Sequence, residues 1–259
     1  MTMSKSTQHI ARKRMVIKLG GSMLEGLNEG FFTNIIQLQK NGHDVVLVHG
    51  GGPFINKELA RNNVLSSVVN GIRVTSKEAA GIVQSTLIGQ VNPALVHQLN
   101  KGGIDAIGLS GYDGKLLSCT MLDEQLYGSV GEIQDVRTEL IETLLHDGLV
   151  PVISCIGAGE DGTPLNINAD TVASKIALAI HADSLLLVTD TPGIQIEGTV
   201  QQTASPTEIV QWIKTGEIYG GMLPKVKAAL DCLGAGIPSV QIVGQQLEGT
   251  TVKYREVFI

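Results

Sequence analysis

Two lysines in this sequence stand beside glycine pairs in a way that could handle phosphate. Lys18 closes the run Val16-Ile17-Lys18-Leu19-Gly20-Gly21, a β-branched strand pattern that ends in two glycines. A lysine at the C-terminal end of a strand stands where open α/β sheets bind ligands. Adjacent glycines let backbone N–H groups approach an anion without interference from a Cβ. The same residues also describe an edge lysine before an ordinary turn. Lys225 lies in Gly220-Gly221-Met222-Leu223-Pro224-Lys225, early in a helical pattern. A cation there opposes the helix dipole, a mild conflict that hints at something anionic nearby.

Four further segments could share that chemistry. His49-Gly50-Gly51-Gly52-Pro53 follows a second apolar run and opens a helix. Three glycines there make a backbone cradle at a helix N-terminus, where an anion is favoured. It is not a P-loop, because nothing in the chain matches G-x-x-x-x-G-K-[ST]. His49 reads as a packed or hydrogen-bonded residue rather than a metal ligand. Arg73, in Asn70-Gly71-Ile72-Arg73-Val74-Thr75, can fork onto a carboxylate or simply face water. Asn166, Asn168 and Asp170 open another helix and either cap it or hold a substrate and orient charged groups. Asp190-Thr191-Pro192-Gly193-Ile194 is a third strand end with a turn. Against these stands one decoy, the G-x-G-x-x-G of residues 157–162. A dinucleotide fold needs its helix to begin inside that motif, whereas here the helical pattern begins only near Asp170. The decoy is expected to be a loop.

The elements that must position these residues alternate. Strands are expected over residues 15–19, 45–48, 104–109, 150–156, 184–189 and 239–243. Helices are expected over 31–41, 54–62, 76–100, 137–147, 170–181, 207–215 and 223–233, with Pro93 kinking or dividing the long third one. Short strands alternating with amphipathic helices predict a mostly parallel sheet covered by helices. Asn70-Gly71 and Asp113-Gly114 both read as hairpin turns, and residues 116–127 read as a hairpin that could cover a site. The rhythm restarts near Gly159, so two lobes, 1–160 and 161–259, are expected to share one continuous sheet.

The bulk numbers narrow the classes. The 259 residues carry a net charge of -6, which does not suit a nucleic-acid binder. Cys119, Cys155 and Cys232 are too few and too widely spaced for a disulfide framework or a zinc site, and they fit a reducing compartment. No run reaches the roughly 18 apolar residues of a membrane span. The polar, basic start of the chain is no secretory signal. A cytoplasmic protein with no membrane partner is expected.

Lys18-Leu19-Gly20-Gly21, His49-Gly50-Gly51-Gly52-Pro53, Asn70-Gly71-x-Arg73-Val74-Thr75, Asn166-x-Asn168-Ala169-Asp170, Asp190-x-x-Gly193 and Gly221-Met222-x-x-Lys225-Val226 occur in this order over nearly the whole chain. Together they resemble the amino acid kinase family, and within it the branch that phosphorylates N-acetyl-L-glutamate in arginine biosynthesis. The resemblance implies an α/β fold, a three-layer αβα sandwich with a central, mostly parallel sheet. One lobe would hold the acylamino acid and the other ATP, with Mg2+ carried mainly by the phosphates and water, so no dedicated metal ligand is named. It casts Lys18 and Lys225 as transition-state lysines and Asp170 as the carboxylate that orients both. Gly20 and Gly51 would give N–H groups to the phosphoryl in flight, and Gly51 and Gly52 would line the substrate. Arg73 and Asn166 would bind substrate carboxylates. Gly20, Gly21, Asp190, Gly193, Ile194, Tyr219 and Gly221 would line the nucleotide. The casting suits the chemistry: a carboxylate is already ionised at neutral pH, so no base is needed to make the nucleophile.

Arginine-inhibited members of the family carry a longer N-terminal helix that links dimers into hexamers. The short segment before Met15 therefore predicts a homodimer without arginine feedback. The lack of a regulatory extension after Ile259 argues against an aspartokinase. The nearest rival is a kinase for an aminoadipate- or glutamate-type substrate on an acidic carrier protein, which the acidic net charge disfavours. A non-catalytic binding protein of the same fold is the other alternative, opposed by the presence of both lysines and Asp170.

Overall fold

Runs such as Val45-Val46-Leu47-Val48 and Leu185-Leu186-Leu187-Val188 show no polar alternation, so both faces of these strands need cover. The computed structural model, which describes residues 12–255, supplies it. The N-terminal segment on which the signal and hexamer expectations rest lies mostly outside the described residues. In chain order the strands are β1 Lys13–Leu19, β2 His43–His49, β3 Val68–Val69, β4 Ile72–Arg73, β5 Ala106–Leu109, β6 Leu117–Met121, β7 Gly131–Val136 and β8 Val150–Ser154. They continue with β9 Ile156–Ala158, β10 Pro164–Asn166, β11 Ser184–Val188, β12 Gln195–Ile196, β13 Thr199–Val200, β14 Thr203–Ala204, β15 Val240–Val243 and β16 Gly249–Val252. The helices are α1 Glu29–Lys40, α2 Gly52–Arg61, α3 Lys77–Thr86, α4 Asn92–Lys101, α5 Glu124–Tyr127, α6 Thr138–His146, α7 Ala169–Ala179, α8 Pro206–Thr215 and α9 Met222–Gly234.

Eight strands form the main sheet in the order β14-β16-β15-β11-β1-β2-β8-β5, and only the β15–β16 pair is antiparallel. β1 lies between β2 and β11, with Lys18 paired to Val48 on one side and Leu187 on the other. Val16, Ile17 and Leu19 are fully buried. Right-handed crossovers that run both ways from β1 put α1 and the α2–α4 segment on one face, and α6, α7 and α9 on the other. A smaller sheet, β10-β9-β6-β7, stands over the C-terminal ends of the main strands, and β3–β4 forms a two-stranded ribbon beside it. No helix among the described residues is long and apolar enough to cross a membrane.

Several expectations are corrected in detail. The strand expected over 150–156 is two strands: β8 belongs to the main sheet and β9 to the smaller one, with Cys155 as the single residue between. A run of apolar residues cannot announce that its hydrogen-bond partners change half-way. The helix expected over 76–100 is divided by a wide π turn at Leu87–Val91. Pro93 has no N–H for the carbonyl four residues back, and the wider turn accommodates that loss. Asp113-Gly114 is no hairpin turn but part of the 3-10 turn Asp113–Lys115, closed by Asp113 accepting from the Ser110 hydroxyl at 2.7 Å. The hairpin expected over 116–127 exists as β6 paired with β7, longer than expected because α5 fills its tip. Asn70-Gly71 is a two-residue turn, with φ of 52° and 80°. The decoy of residues 157–162 is the turn of the β9–β10 hairpin, so no helix begins within it.

Candidate active site

β1 delivers Lys18 to the C-terminal edge of the main sheet, and α7 delivers Asp170 to meet it. Lys18 Nζ lies 3.0 Å from Asp170 Oδ1. Asn168 caps α7 by accepting from the Asp170 N–H at 2.8 Å, which leaves Asp170 in the first turn, where the helix dipole favours a carboxylate. The two readings left open for this segment thus fall to different residues. The glycine loops after β1 and β2 pack on each other: a Cβ at Gly21 would meet the Gly52 nitrogen at 2.7 Å. Only a residue without that atom allows the two cradles to close together.

Lys18, Gly20, Gly21, Gly51, Gly52, Arg73 and Asn166 all wall one cleft of about 200 Å³. Cys155 lines it too, its thiol pushed up to about 12 by burial and therefore protonated. Arg73 is held by neutral partners, donating to Asn56 Oδ1 at 2.5 Å and Ser66 Oγ at 3.0 Å. Among the described residues it makes no ion pair, although partial burial draws its pKa down. It is a guanidinium in a cleft without a counter-charge. Asn166 is buried and donates to the Thr75 hydroxyl at 3.1 Å, while the Thr75 backbone is bonded to Tyr127 and Ser129 of the flap. Thr75 thereby ties ribbon, flap and Asn166 together.

Lys225 does not meet Asp170. It donates to Asp190 Oδ1 at 2.5 Å and to the Thr191 hydroxyl at 3.3 Å. That bond holds the Asp190 carboxyl below its usual range. Asp170 was expected to orient both lysines; in this structure it meets Lys18 alone, and Lys225 rests on Asp190. Asp190 and Thr191 wall a second, larger cleft of about 960 Å³ with Met23, Pro192, Gln202 and Gly249. The 3-10 turn Gly21–Met23 stands between the clefts, one end on each. Gly193 and Ile194 do not line either one: Ile194 is fully buried and its N–H donates to Thr250 Oγ1 at 2.8 Å. Tyr219, 75% exposed, and Gly221, the N-cap of α9, also stand outside both walls.

His49 is fully buried and hydrogen-bonded through both ring nitrogens. Nδ1 lies 2.8 Å from the Gly50 carbonyl and Nε2 2.9 Å from Asn92 Nδ2. Since an amide nitrogen only donates, Nε2 accepts and Nδ1 carries the proton. Burial pulls its pKa down to about 4, only partly opposed by the Gly50 carbonyl, so the ring is neutral. Among the described residues no cluster of three or more His, Cys, Asp or Glu is placed to hold a metal. The residues missed from sequence are those that hold others: Asn56, Ser66, Thr75, Thr191 and Asn92. Their partners lie between 7 and 91 positions away or on another element, and no local pattern marks them.

A model described as the amino acid kinase family matches residues 13–244. The acetylglutamate kinase of Geobacillus thermodenitrificans is 45% identical over 229 residues, 88% of this chain and 89% of that one. The acetylglutamate kinase of Halalkalibacterium halodurans is 41% identical, covering 92% and 95%. Among solved structures, smu.665 from Streptococcus mutans superimposes with a TM-score of 0.83 at 33% identity, over 93% of this chain and 99% of that one. A carbamate kinase from Giardia lamblia, at 18% identity and a TM-score of 0.65, shares the fold.

Proposed function

Because the chain belongs to the amino acid kinase family, we propose that its two clefts bring together ATP and an acylated acidic amino acid. The protein is a kinase that phosphorylates the side-chain carboxylate of N-acetyl-L-glutamate, giving the 5-phosphate used in arginine biosynthesis. The observation that carries the substrate side is Arg73, a cation without a counter-charge in the cleft that also holds Lys18. An α-carboxylate fits the guanidinium fork, with the Asn166 segment beside it. The apolar walls, Ile55, Ile72, Val130 and Ile167, suit an acyl group better than a free ammonium.

The larger cleft suits the nucleotide, with Asp190 at its wall and Tyr219 and Gly221 in the turn that leads to Lys225. Gly193 and Ile194 support that wall from behind. The terminal phosphoryl would then lie between Lys18 and Lys225, against the N–H groups of Gly20 and Gly51. The task is electrostatic: two anions must meet, and the charge on the phosphoryl oxygens in flight must be stabilised. Asp170 and Asp190 are each engaged by a lysine, while Glu248, also on the wall of the larger cleft, makes no ion pair among the described residues. A magnesium ion brought in on the ATP phosphates would add positive charge there. A cytoplasmic homodimer completes the reading, and the three free cysteines suit a reducing compartment.

A coupled assay of ADP release tests it. Turnover with N-acetylglutamate should far exceed that with glutamate, aspartate, carbamate or UMP. Equal turnover of free glutamate would overturn the substrate reading.

A further inference from the structure

The histidine that ends β2 takes no part in the chemistry above, yet it is bonded to the middle of the phosphate cradle. Its Nδ1–H donates to the Gly50 carbonyl, and Asn92, at the start of α4, holds the other ring nitrogen. Asn92 Nδ2 also donates to the Val152 carbonyl at 2.9 Å, so the amide cannot turn over without losing two bonds. The ring is thereby fixed in one tautomer and one orientation. A trans peptide is planar, with its C=O and N–H pointing in opposite directions. The carbonyl of Gly50 and the N–H of Gly51 belong to one such unit. Drawing that carbonyl inward to His49 turns the Gly51 N–H outward, toward the cleft that Gly50, Gly51 and Gly52 line.

Two observations agree with this aim. Gly51 is buried, yet among the described residues its N–H has no acceptor, although its carbonyl accepts from Ile55 at 2.9 Å. A buried N–H without a partner is uncommon and implies an acceptor that arrives with a ligand. The loop is also braced from behind: a Cβ at Gly51 would meet Leu87 Cδ2 at 2.7 Å, on the π turn that leads to Asn92. We infer that the His49–Asn92 pair is a positioning device that aims the Gly51 N–H at the phosphoryl group being transferred. The inference rests on the kinase reading for the identity of that group, and on the hydrogen-bond geometry for the aim.

His49→Phe removes the bond to Gly50 while keeping a ring of similar volume. With N-acetylglutamate and ATP, kcat should fall roughly 10- to 100-fold and both KM values should stay within about twofold, since an aimed donor acts chiefly on the transition state. His49→Asn, whose amide can still donate to Gly50, should recover most of that loss. Replacing both partners, His49→Phe with Asn92→Leu, removes the orphaned amide and should restore stability but not kcat. If the double variant regained both, the pair would be structural and the inference overturned. A readout without turnover uses the Gly51 amide resonance. It should shift when ADP and aluminium fluoride are added to the wild-type protein, and much less in His49→Phe. Equal shifts in both would overturn the aim. Failure of the kinase reading would show instead as wild-type protein without acylglutamate-dependent ADP release.

Discussion

The two lysine–carboxylate pairs look alike in outline and differ in setting. Lys18 and Asp170 stand on a buried central strand and in the first turn of a capped helix, with side chains 17% and 36% exposed. Lys225 is similarly covered at 22%, but its partner Asp190 sits on a loop and is 76% exposed. The first pair is fixed by its scaffold. The second is held by a carboxylate open to water, and such pairs contribute less than about 1 kcal/mol. On the proposed reading, phosphate groups entering the larger cleft would take Lys225 from Asp190 at small cost, whereas Lys18 would already be aimed before they arrive. One lysine would be preorganised and the other recruited.

The largest effects should come from the lysines themselves. Lys18→Met and Lys225→Met should each lower kcat by about two orders of magnitude or more, with ATP binding weakened less, as expected when a charge-stabilising group is lost. Steady-state kinetics with a direct ATP-binding titration separates the two. Near-normal kcat with a raised KM for ATP would make either lysine a ground-state anchor. Asp170→Asn should follow Lys18→Met downward, because the scaffolded lysine loses its holder.

An intermediate effect is expected at Arg73. Arg73→Ala should raise KM for the acylamino acid roughly 10- to 100-fold, the equivalent of losing a charge-assisted pair worth about 1.5–3 kcal/mol, and leave KM for ATP little changed. An unchanged substrate KM would leave Asn56 and Ser66 as the only partners that matter to it. The smallest effect should be that of Asp190→Asn, a loss of only a few fold in kcat/KM for ATP. If it proved as damaging as Asp170→Asn, the contrast between a fixed and a recruited lysine would collapse.

Much of this was legible in the sequence because it is local. Lys18 at a strand end, the glycines behind it and Asn168 before an apolar helix are patterns within a few residues, and the main elements form where periodicity puts them. The contact at Lys225 is of another kind. Its carboxylate is 35 positions away, and nothing near either residue distinguishes Asp190 from Asp170 as the partner. The break at Cys155 was hidden for the same reason, since apolar composition records burial but not which sheet a strand joins. Arg73 was ambiguous until Asn56 and Ser66 were seen to hold it without neutralising it.

The sheet order carries a consequence for how the chain is made. β1 is flanked by β2, which follows closely, and by β11, which is not synthesised until residues 184–188. A chain emerging N-terminus first has the central strand, with Lys18 on it, bare along one edge for most of its synthesis. Exposed strand edges template wrong pairings, and long-range parallel pairs form slowly. Every copy of this enzyme therefore passes through a stage on the ribosome where this central strand is half-covered. A chain cut short before β11 would leave it so for good.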